Sequence, residues 1–399
     1  MATFPLTWVR GRTASRTPGG VWSRARLGGL AACWLLAVFL LFSSGSLPRE
    51  LRVRQIAAAE AFPLVDWHLA RLAERSGWIV AGLLGEHPTP TAADKAAALA
   101  YFAEKPAARA PLAPAAEVAI ERAVSDVLWQ EGLTTAAPWT PTGSMLFPPV
   151  AFTFTSPPEV LVVARRDRIA VVQSELLKPG VSVPEAERME AATDALGYSS
   201  LVVNIGGLAT YPTMVLRNTA PMDAVVAVTH EWIHGYLFFT PLGQRYWSSQ
   251  EARSINETTA EIVSQELGPR AARSLGLDAL VPSGGGRPSA PSPSLAQFRT
   301  MMRETRVKLD AMLAAGQIDE AEAYLDARRL DFVAAGYQIR KLNQAYFAFN
   351  GSYGDAAAGV SPMPRQLRML RASSGSAGEF LQRVGQLTSA ADLARAVGE

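Results

Sequence analysis

Residues 222–239 read MDAVVAVTHEWIHGYLFF, and this stretch decides which fold and which chemistry the chain can have. Its predominantly apolar composition predicts a largely buried helix. His230 and His234 are one helical turn apart, so both imidazoles project from one face, about 5–6 Å from each other. That spacing lets two neutral imidazole nitrogens bind one tetrahedral ion at about 2.0–2.1 Å each. Glu231 can then reach the water that the metal activates without being a ligand itself.

The HExxH pattern at 230–234 is specific for this chemistry. The chain has only four His in 399 residues, and chance predicts roughly 0.002 occurrences of the pattern in a chain of this composition. The alternative is a buried helix that carries two core histidines. A third ligand on a second helix argues against that alternative.

That third ligand is predicted in the segment NETTAE at 256–261. Glu257 lies 23 residues beyond His234, which leaves room for a turn and a second helix that returns a carboxylate to the ion. Glu261 is one helical turn further on the same face, where it can accept the remaining ring N–H of a ligating histidine, His230 by preference. The alternative for both acids is a solvated helix face.

With both segments, the chain resembles the gluzincin metallopeptidases, the class of thermolysin-like enzymes and membrane-associated aminopeptidases. The motif match covers about residues 222–267, and a weaker likeness to bacterial aminopeptidases of this class lies in KLNQAYFAFNGSYGD at 341–355. The resemblance implies one Zn²⁺ ion and a set of roles: His230, His234 and Glu257 as ligands, Glu231 as general base, and Asn256 and Glu261 as residues that support the ligands.

Other HExxH classes fit less well. A metzincin needs Gly three residues after the second His and a third His three residues beyond, where this chain has Leu237 and Thr240. Intramembrane zinc proteases need several spans and a downstream Asp ligand. The membrane proteases that trim prenylated proteins share a Glu on a second helix but usually have more spans, and they stay a distant alternative.

Two further parts of the site are expected from the sequence. An exposed strand beside the metal helix pairs with substrate backbone in this class, and residues 206–211 are the best candidate, with Gly207, Leu208 and Ala209 as substrate-binding residues. The alternative is an ordinary core strand. The oxyanion needs a donor besides the metal, for which Tyr353 is the first candidate, followed by Tyr346 and Tyr236.

Composition limits the remaining possibilities. Cys33 is the only cysteine, which excludes an intramolecular disulfide and a Cys-based zinc site. A formal net charge of +2 gives no electrostatic footprint for nucleic acid. Arginine greatly outnumbers lysine, which indicates a GC-rich, bacterial genome.

An apolar segment near the N-terminus predicts a membrane anchor. Residues 27–42 read LGGLAACWLLAVFLLF, and no charge occurs between Arg26 and Arg49. A helix over this stretch is about 30 Å long, the thickness of a bilayer's hydrocarbon core. The arginine-rich lead places the N-terminus in the cytoplasm and the catalytic region outside a bacterial cell membrane. A cleaved signal peptide or a lipoprotein box at Cys33 are the alternatives.

Together these patterns predict an α+β chain with one small, mostly antiparallel sheet in a zincin-like catalytic region. The expected segments are a cytoplasmic N-terminus (1–26), a transmembrane anchor (27–47), a helical region (48–135), the catalytic region (136–281), a flexible loop (282–294) and a helical C-terminal region (295–399). The predicted function is a zinc peptidase that acts on peptides or proteins, with an aminopeptidase as one form. A non-catalytic anchored protein with structural zinc and a zinc hydrolase of a non-peptide amide are the alternatives.

Overall fold

A computed structural model of the chain describes residues 48–87, 89–280, 294–351 and 362–399. The predicted anchor at 27–47, most of the predicted loop at 282–294 and Tyr353 lie outside these described residues. By their internal contacts, the residues form two compact units, residues 1–55 and residues 56–399. Among the helices of the described residues, none is both long and apolar enough to cross a membrane.

Helices dominate the described residues. The α-helices are α1 Arg49–Ala57, α2 Leu64–Leu83, α3 Ala92–Ala103, α4 Ala113–Gln130, α5 Val183–Asp194, α6 Pro221–Phe238, α7 Pro241–Gln244, α8 Gln250–Ser274, α9 Leu295–Ala314, α10 Ile318–Ala334, α11 Gln344–Asn350, α12 Met363–Ala372, α13 Ala377–Gly385 and α14 Ala390–Ala396. Short 3₁₀ turns are Ala58–Glu60, Pro106–Ala108, Ala110–Leu112 and Leu277–Leu280.

The strands form three small sheets. They are β1 Thr134–Ala136, β2 Ser144–Leu146, β3 Phe152–Thr155, β4 Glu159–Ala164, β5 Val171–Leu177, β6 Ser199–Asn204, β7 Gly207–Leu208 and β8 Thr213–Leu216. β1 pairs with β2, β4 lies between β5 and β6, and β8 lies between β3 and β7. The mixture of helix and sheet confirms the predicted α+β class.

The prediction of one sheet is wrong, because the strands divide among three sheets. The pairing is mostly antiparallel, as predicted, with the exception that β3 runs parallel to β8. Parallel strands need a long crossover connection, and here β4 to β7 and α5 all lie between β3 and β8 in the chain. The other ladders are antiparallel. The charged residues RRDR at 165–168, between two β-rich segments, predict a hairpin turn. β4 and β5 form this hairpin, with residues 165–168 at its turn.

Two predicted helix boundaries change. Within the helical C-terminal region, the sequence predicts a single helix over residues 318–349. The structure has two helices there, because Gly336 adopts a φ of 91° beyond the end of α10, the left-handed conformation that terminates a helix. Asn343 then caps α11 by accepting a hydrogen bond from the backbone N–H of Tyr346 at 3.0 Å. In the helical region at 48–135, the apolar spacing predicts one helix over residues 51–81 with a kink at Pro63. In the structure Pro63 instead lies immediately before α2.

The helix pair α6 and α8 forms the centre of the main hydrophobic core. Buried apolar residues on α6, such as Val228 and Ile233, lie in the same cluster as Ile255 and Val263 of α8. The helices approach so closely that a Cβ at Gly268 would lie 2.8 Å from the Cα of Val226. This contact fixes the two helices that carry the predicted metal ligands.

A buried acidic pair on α4 supports the sheet that contains β7. Glu121 accepts a hydrogen bond from the backbone N–H of Phe152, and Glu117 accepts one from Phe154, both at 2.8 Å. Arg75 of α2 contacts Glu121 and lies 3.7 Å from Glu117. Two buried acids therefore share one arginine, and burial raises the pKa of Glu117 to about 7 and that of Glu121 to about 8.

We expect the free energy of unfolding to decrease as the pH rises from about 5 to about 8. Between the ordinary carboxyl pKa of 4.5 and the raised values, the folded chain binds more protons than the unfolded chain, so deprotonation favours unfolding. Glu117→Gln keeps an oxygen acceptor for Phe154 and removes one of the titrating groups, so it reduces this pH dependence. Urea unfolding at several pH values measures the effect. Glu104→Gln, at an exposed position, is the control, and an identical pH dependence in Glu117→Gln and the parent chain contradicts the assignment.

Candidate metal centre

Helices α6 and α8 bring the three predicted ligands together. The Nε2 atoms of His230 and His234 are 3.1 Å apart. One carboxylate oxygen of Glu257, Oε2, lies 3.6 Å from His230 Nε2 and 3.4 Å from His234 Nε2. The three side chains thus form a group able to bind a metal ion.

The size of this triangle fits a tetrahedral ion. Ligand bonds of 2.0–2.1 Å at tetrahedral angles place donor atoms about 3.3–3.4 Å apart, and the three observed separations lie on either side of that value. Glu257 Oε2 is also buried and has no hydrogen-bond partner, although buried carboxylate oxygens are normally paired. A cation among the three atoms would supply the partner. Two imidazole nitrogens and one carboxylate oxygen are a donor set for first-row transition ions, whereas magnesium and calcium prefer oxygen alone.

Electrostatics within the triad favour a cation. Burial acts to raise the pKa of Glu257, but the two imidazoles outweigh burial and hold the pKa of this carboxyl below its usual range. Burial acts to lower the pKa of His234, but Glu257, Glu231 and Asn256 together raise it to about 9. The carboxylate is therefore ionised at neutral pH, and a metal ion competes with a proton for the imidazole nitrogen.

The opposite ring nitrogens of the two histidines face acceptors on α8. His234 Nδ1 lies 2.6 Å from Asn256 Oδ1, and donation to that oxygen leaves the Nε2 lone pair free for a metal. His230 Nδ1 lies 3.9 Å from Glu261 Oε2, which is close enough for an ion pair but too long for a hydrogen bond. The sequence predicted Glu261 as the partner of His230, and the structure places it on the correct side of that ring.

Tyr246 belongs to the site and was missed from the sequence. Its hydroxyl donates a short hydrogen bond to Oε1 of Glu257, and its ring centroid is 6.0 Å from that of His234. Because Oε1 is held in this way, Oε2 is the oxygen directed at the two imidazoles. The position of Tyr246 between the two motif helices is the signal that could have identified it, since the connection between α6 and α8 must pass the metal site.

The other tyrosine candidates lie elsewhere or outside the described residues. Tyr236 stacks on Trp232 at 5.6 Å, on the face of α6 opposite the histidines. Tyr346 packs in the clusters beside α9 to α11 and the sheet of β4. Tyr353 lies outside the described residues, so the structure shows no position for it.

Glu231 lies between the metal triad and the edge strand β7. A Cβ built on Gly207 would be 2.6 Å from Glu231 Oε1, so only a glycine at this position lets the carboxylate lie where it does. β7 pairs through Gly207 and Leu208 with β8 and is the last strand of its sheet within the described residues. The neighbouring Ala209 is exposed. Burial raises the pKa of Glu231, the direction that suits a general base.

Comparison with known proteins does not assign this site. No protein-family profile, no curated protein and no solved structure matches the chain. The geometry of the described residues therefore carries the functional argument.

We expect Tyr246→Phe to weaken metal binding by about 10- to 100-fold, because loss of a partner that orients a ligand has an effect of this size. The change removes only the hydroxyl that holds Glu257 Oε1. Competition with a chromogenic chelator measures the metal Kd directly. Tyr337→Phe is the matched control, since its hydroxyl donates to the carbonyl of Ser294 away from the site. Equal metal affinity in the two variants contradicts this role of Tyr246.

Proposed function

We propose that this chain is a zinc-dependent peptidase of the gluzincin type with a zincin-like catalytic region. The observation that carries the proposal is the triangle of His230, His234 and Glu257 with a fourth residue, Glu231, beside it. A structural metal site has no need of an additional carboxylate at that point. Glu231 is partly buried against Gly207, and it is close enough to His230, His234 and Glu257 for their charges to act on its pKa.

The chemistry follows from these positions. His230, His234 and Glu257 would hold a zinc ion, which when bound would supply Lewis acidity towards a carbonyl and a water molecule. Glu231 accepts a proton from the attacking water and returns it to the leaving amine. A set of three protein ligands is typical of catalytic zinc sites, whereas structural zinc sites usually have four.

The edge strand β7 supplies a surface for substrate backbone. Gly207, Leu208 and Ala209 lie next to Glu231, and an extended peptide added along this edge would bring its scissile bond to the carboxylate. The substrate class is therefore a peptide or an extended segment of a protein. The proposal includes cleavage from a free N-terminus, which is the aminopeptidase form of the activity. A peptide library tests this part of the proposal.

We also propose that the chain is anchored in a bacterial membrane by residues 27–47, with the catalytic residues outside the cytoplasm. The support is the uncharged apolar run and the arginine-rich lead that precedes it. Protease protection of a tag at the C-terminus in spheroplasts and inverted vesicles tests this orientation.

We expect Glu231→Gln to lose peptide hydrolysis by about 10²- to 10⁴-fold, the contribution of a general base, while zinc stays bound at one ion per chain. Hydrolysis of a peptide library and elemental analysis of the same preparation measure the two quantities. Glu257→Ala, by contrast, is expected to lose zinc as well.

Two results would oppose parts of this proposal. An unchanged turnover rate of Glu231→Gln would contradict the assignment of Glu231 as the general base. Rapid cleavage of peptides with blocked N-termini would remove the aminopeptidase form but leave the peptidase in place.

We further expect Gly207→Ala to lower kcat at least tenfold with zinc retained, because the new Cβ would displace the Glu231 carboxylate. Gly206→Ala is a matched control, since a Cβ at Gly206 meets nothing within 4 Å. Steady-state kinetics of the two variants, with zinc content measured alongside, give the comparison. Equal losses in both would show that strand flexibility, not the position of Glu231, controls the rate.

A further inference from the structure

Arg253 is a cation beside the metal triad. It lies on α8 one helical turn before Glu257, so the two side chains share a face of the helix. The guanidinium carbon of Arg253 is 5.2 Å from the centre of the Tyr246 ring, and that ring is 6.0 Å from the His234 ring. Because a peptide residue spans about 3.5 Å, the guanidinium is within a few substrate residues of the metal.

Arg253 has no acidic partner among the residues that the structure describes. Its Nε is buried and makes no hydrogen bond, and no carboxylate lies within 4.0 Å of its guanidinium in the described chain. Of the other arginines with a buried Nε, Arg71 and Arg122 pair with a neighbouring acid, whereas Arg217 donates to the backbone carbonyl of Phe154. A partly buried guanidinium without an acidic partner in the described chain is available to pair with an anion from outside.

Two aromatic rings hold the guanidinium in place. Its carbon lies 5.5 Å from the centre of the Trp247 ring as well as 5.2 Å from that of Tyr246. The rings meet edge to face, 4.9 Å apart at 72°, so the cation contacts both at once. Trp247 is 75% exposed, which shows that this group borders open solvent and not the core. The stacking restrains the planar fork before any ligand binds.

We propose that Arg253 recognises a carboxylate of the substrate and makes the enzyme selective for peptides that carry one near the scissile bond. The inference rests on the proposed peptidase function and names its substrate class. A guanidinium presents parallel N–H donors that match the two oxygens of a carboxylate. That carboxylate belongs either to the substrate's C-terminus or to an Asp or Glu side chain, and the two sources are separable by experiment.

The test uses the purified full chain and sets of matched peptides. Each set contains one neutral sequence with a free C-terminal carboxylate, the same sequence as its C-terminal amide, and the amide with one Gln replaced by Glu. The variants are Arg253→Met and Arg253→Lys, with Arg273→Met as the control, since Arg273 is exposed near the C-terminal end of the same helix. Zinc content is measured for every variant.

We expect the parent chain to prefer one carboxylate-bearing peptide over its neutral partner by about 10- to 100-fold in kcat/KM, the range for hydrogen bonds to a charged group. Arg253→Met should lose this preference and cleave the neutral amide at close to the parent rate. Arg253→Lys should retain part of this preference, because an ammonium keeps the positive charge but lacks the parallel N–H donors of a guanidinium. Preference for the free C-terminus or for the internal Glu identifies the source.

A binding measurement separates recognition from catalysis. In the Glu231→Gln background, calorimetry with the carboxylate peptide and its amide should show the same preference, again lost with Arg253→Met. Equal cleavage and equal binding of charged and neutral peptides by the parent chain would overturn the role of Arg253 and leave the peptidase intact. An equal loss of kcat on all peptides in Arg253→Met, with binding unchanged, would assign Arg253 to the oxyanion and also overturn the proposal. Absence of any cleavage by the zinc-loaded parent would overturn the proposed function itself.

Discussion

The packing of α6 against α8 is the constraint on which the site depends. The metal triangle needs a carboxylate oxygen within about 3.4 Å of two imidazole nitrogens, and those groups come from two helices. The separation of the helices is set where Gly268 meets the backbone of Val226, because any side chain at that point would force the helix axes apart. Even one methyl group at position 268 would separate the two helices and move Glu257 away from the histidines. The apolar residues of this interface therefore determine the metal geometry as directly as the ligands do.

Polar contacts then orient the metal-binding side chains that this packing brings together. Asn256 and Glu261 approach the outer ring nitrogens of His234 and His230 from α8, and Tyr246 takes the outer oxygen of Glu257. Each contact uses the atom that faces away from the centre of the triangle and leaves the inner atom without a partner. This division is what a preorganised metal site requires, since ligands that are already oriented lose little entropy on binding.

Local pattern was enough to predict the helices of the site but not its surroundings. His230, Glu231 and His234 are related by one helical turn, and Glu257 and Glu261 by another, so their shared faces follow from helix geometry alone. Tyr246 could not be identified as a site residue in this way. It lies in the irregular connection after α7, where neither helical nor strand periodicity predicts the direction of a side chain. The division of the strands among three sheets depends on long-range pairing, such as that of β3 with β8, which alternation within one strand does not reveal. The break of the helix at Gly336 was visible as a glycine in the sequence, but an isolated glycine inside a helical pattern is tolerated and does not by itself predict a helix end.

The charged side chains of the proposed site differ from other buried charged side chains of this chain in the partners that they have. Glu190, another buried acid, accepts from the backbone N–H of Val202 and pairs with Arg340, so both of its oxygens have partners. Glu121 likewise binds a backbone N–H and Arg75. Glu257 Oε2, by contrast, faces only the two imidazoles of His230 and His234, and Arg253, one turn before it on α8, has no acidic partner within the described chain. Charges left unpaired lower the stability of a fold by an amount that a ligand can recover. An acidic oxygen directed at two imidazoles and a cation held between two aromatic rings are complementary to a metal ion and an anion, respectively. Under the proposed function, a metal ion would be the partner of Glu257, and a carboxylate of the substrate would be the partner of Arg253.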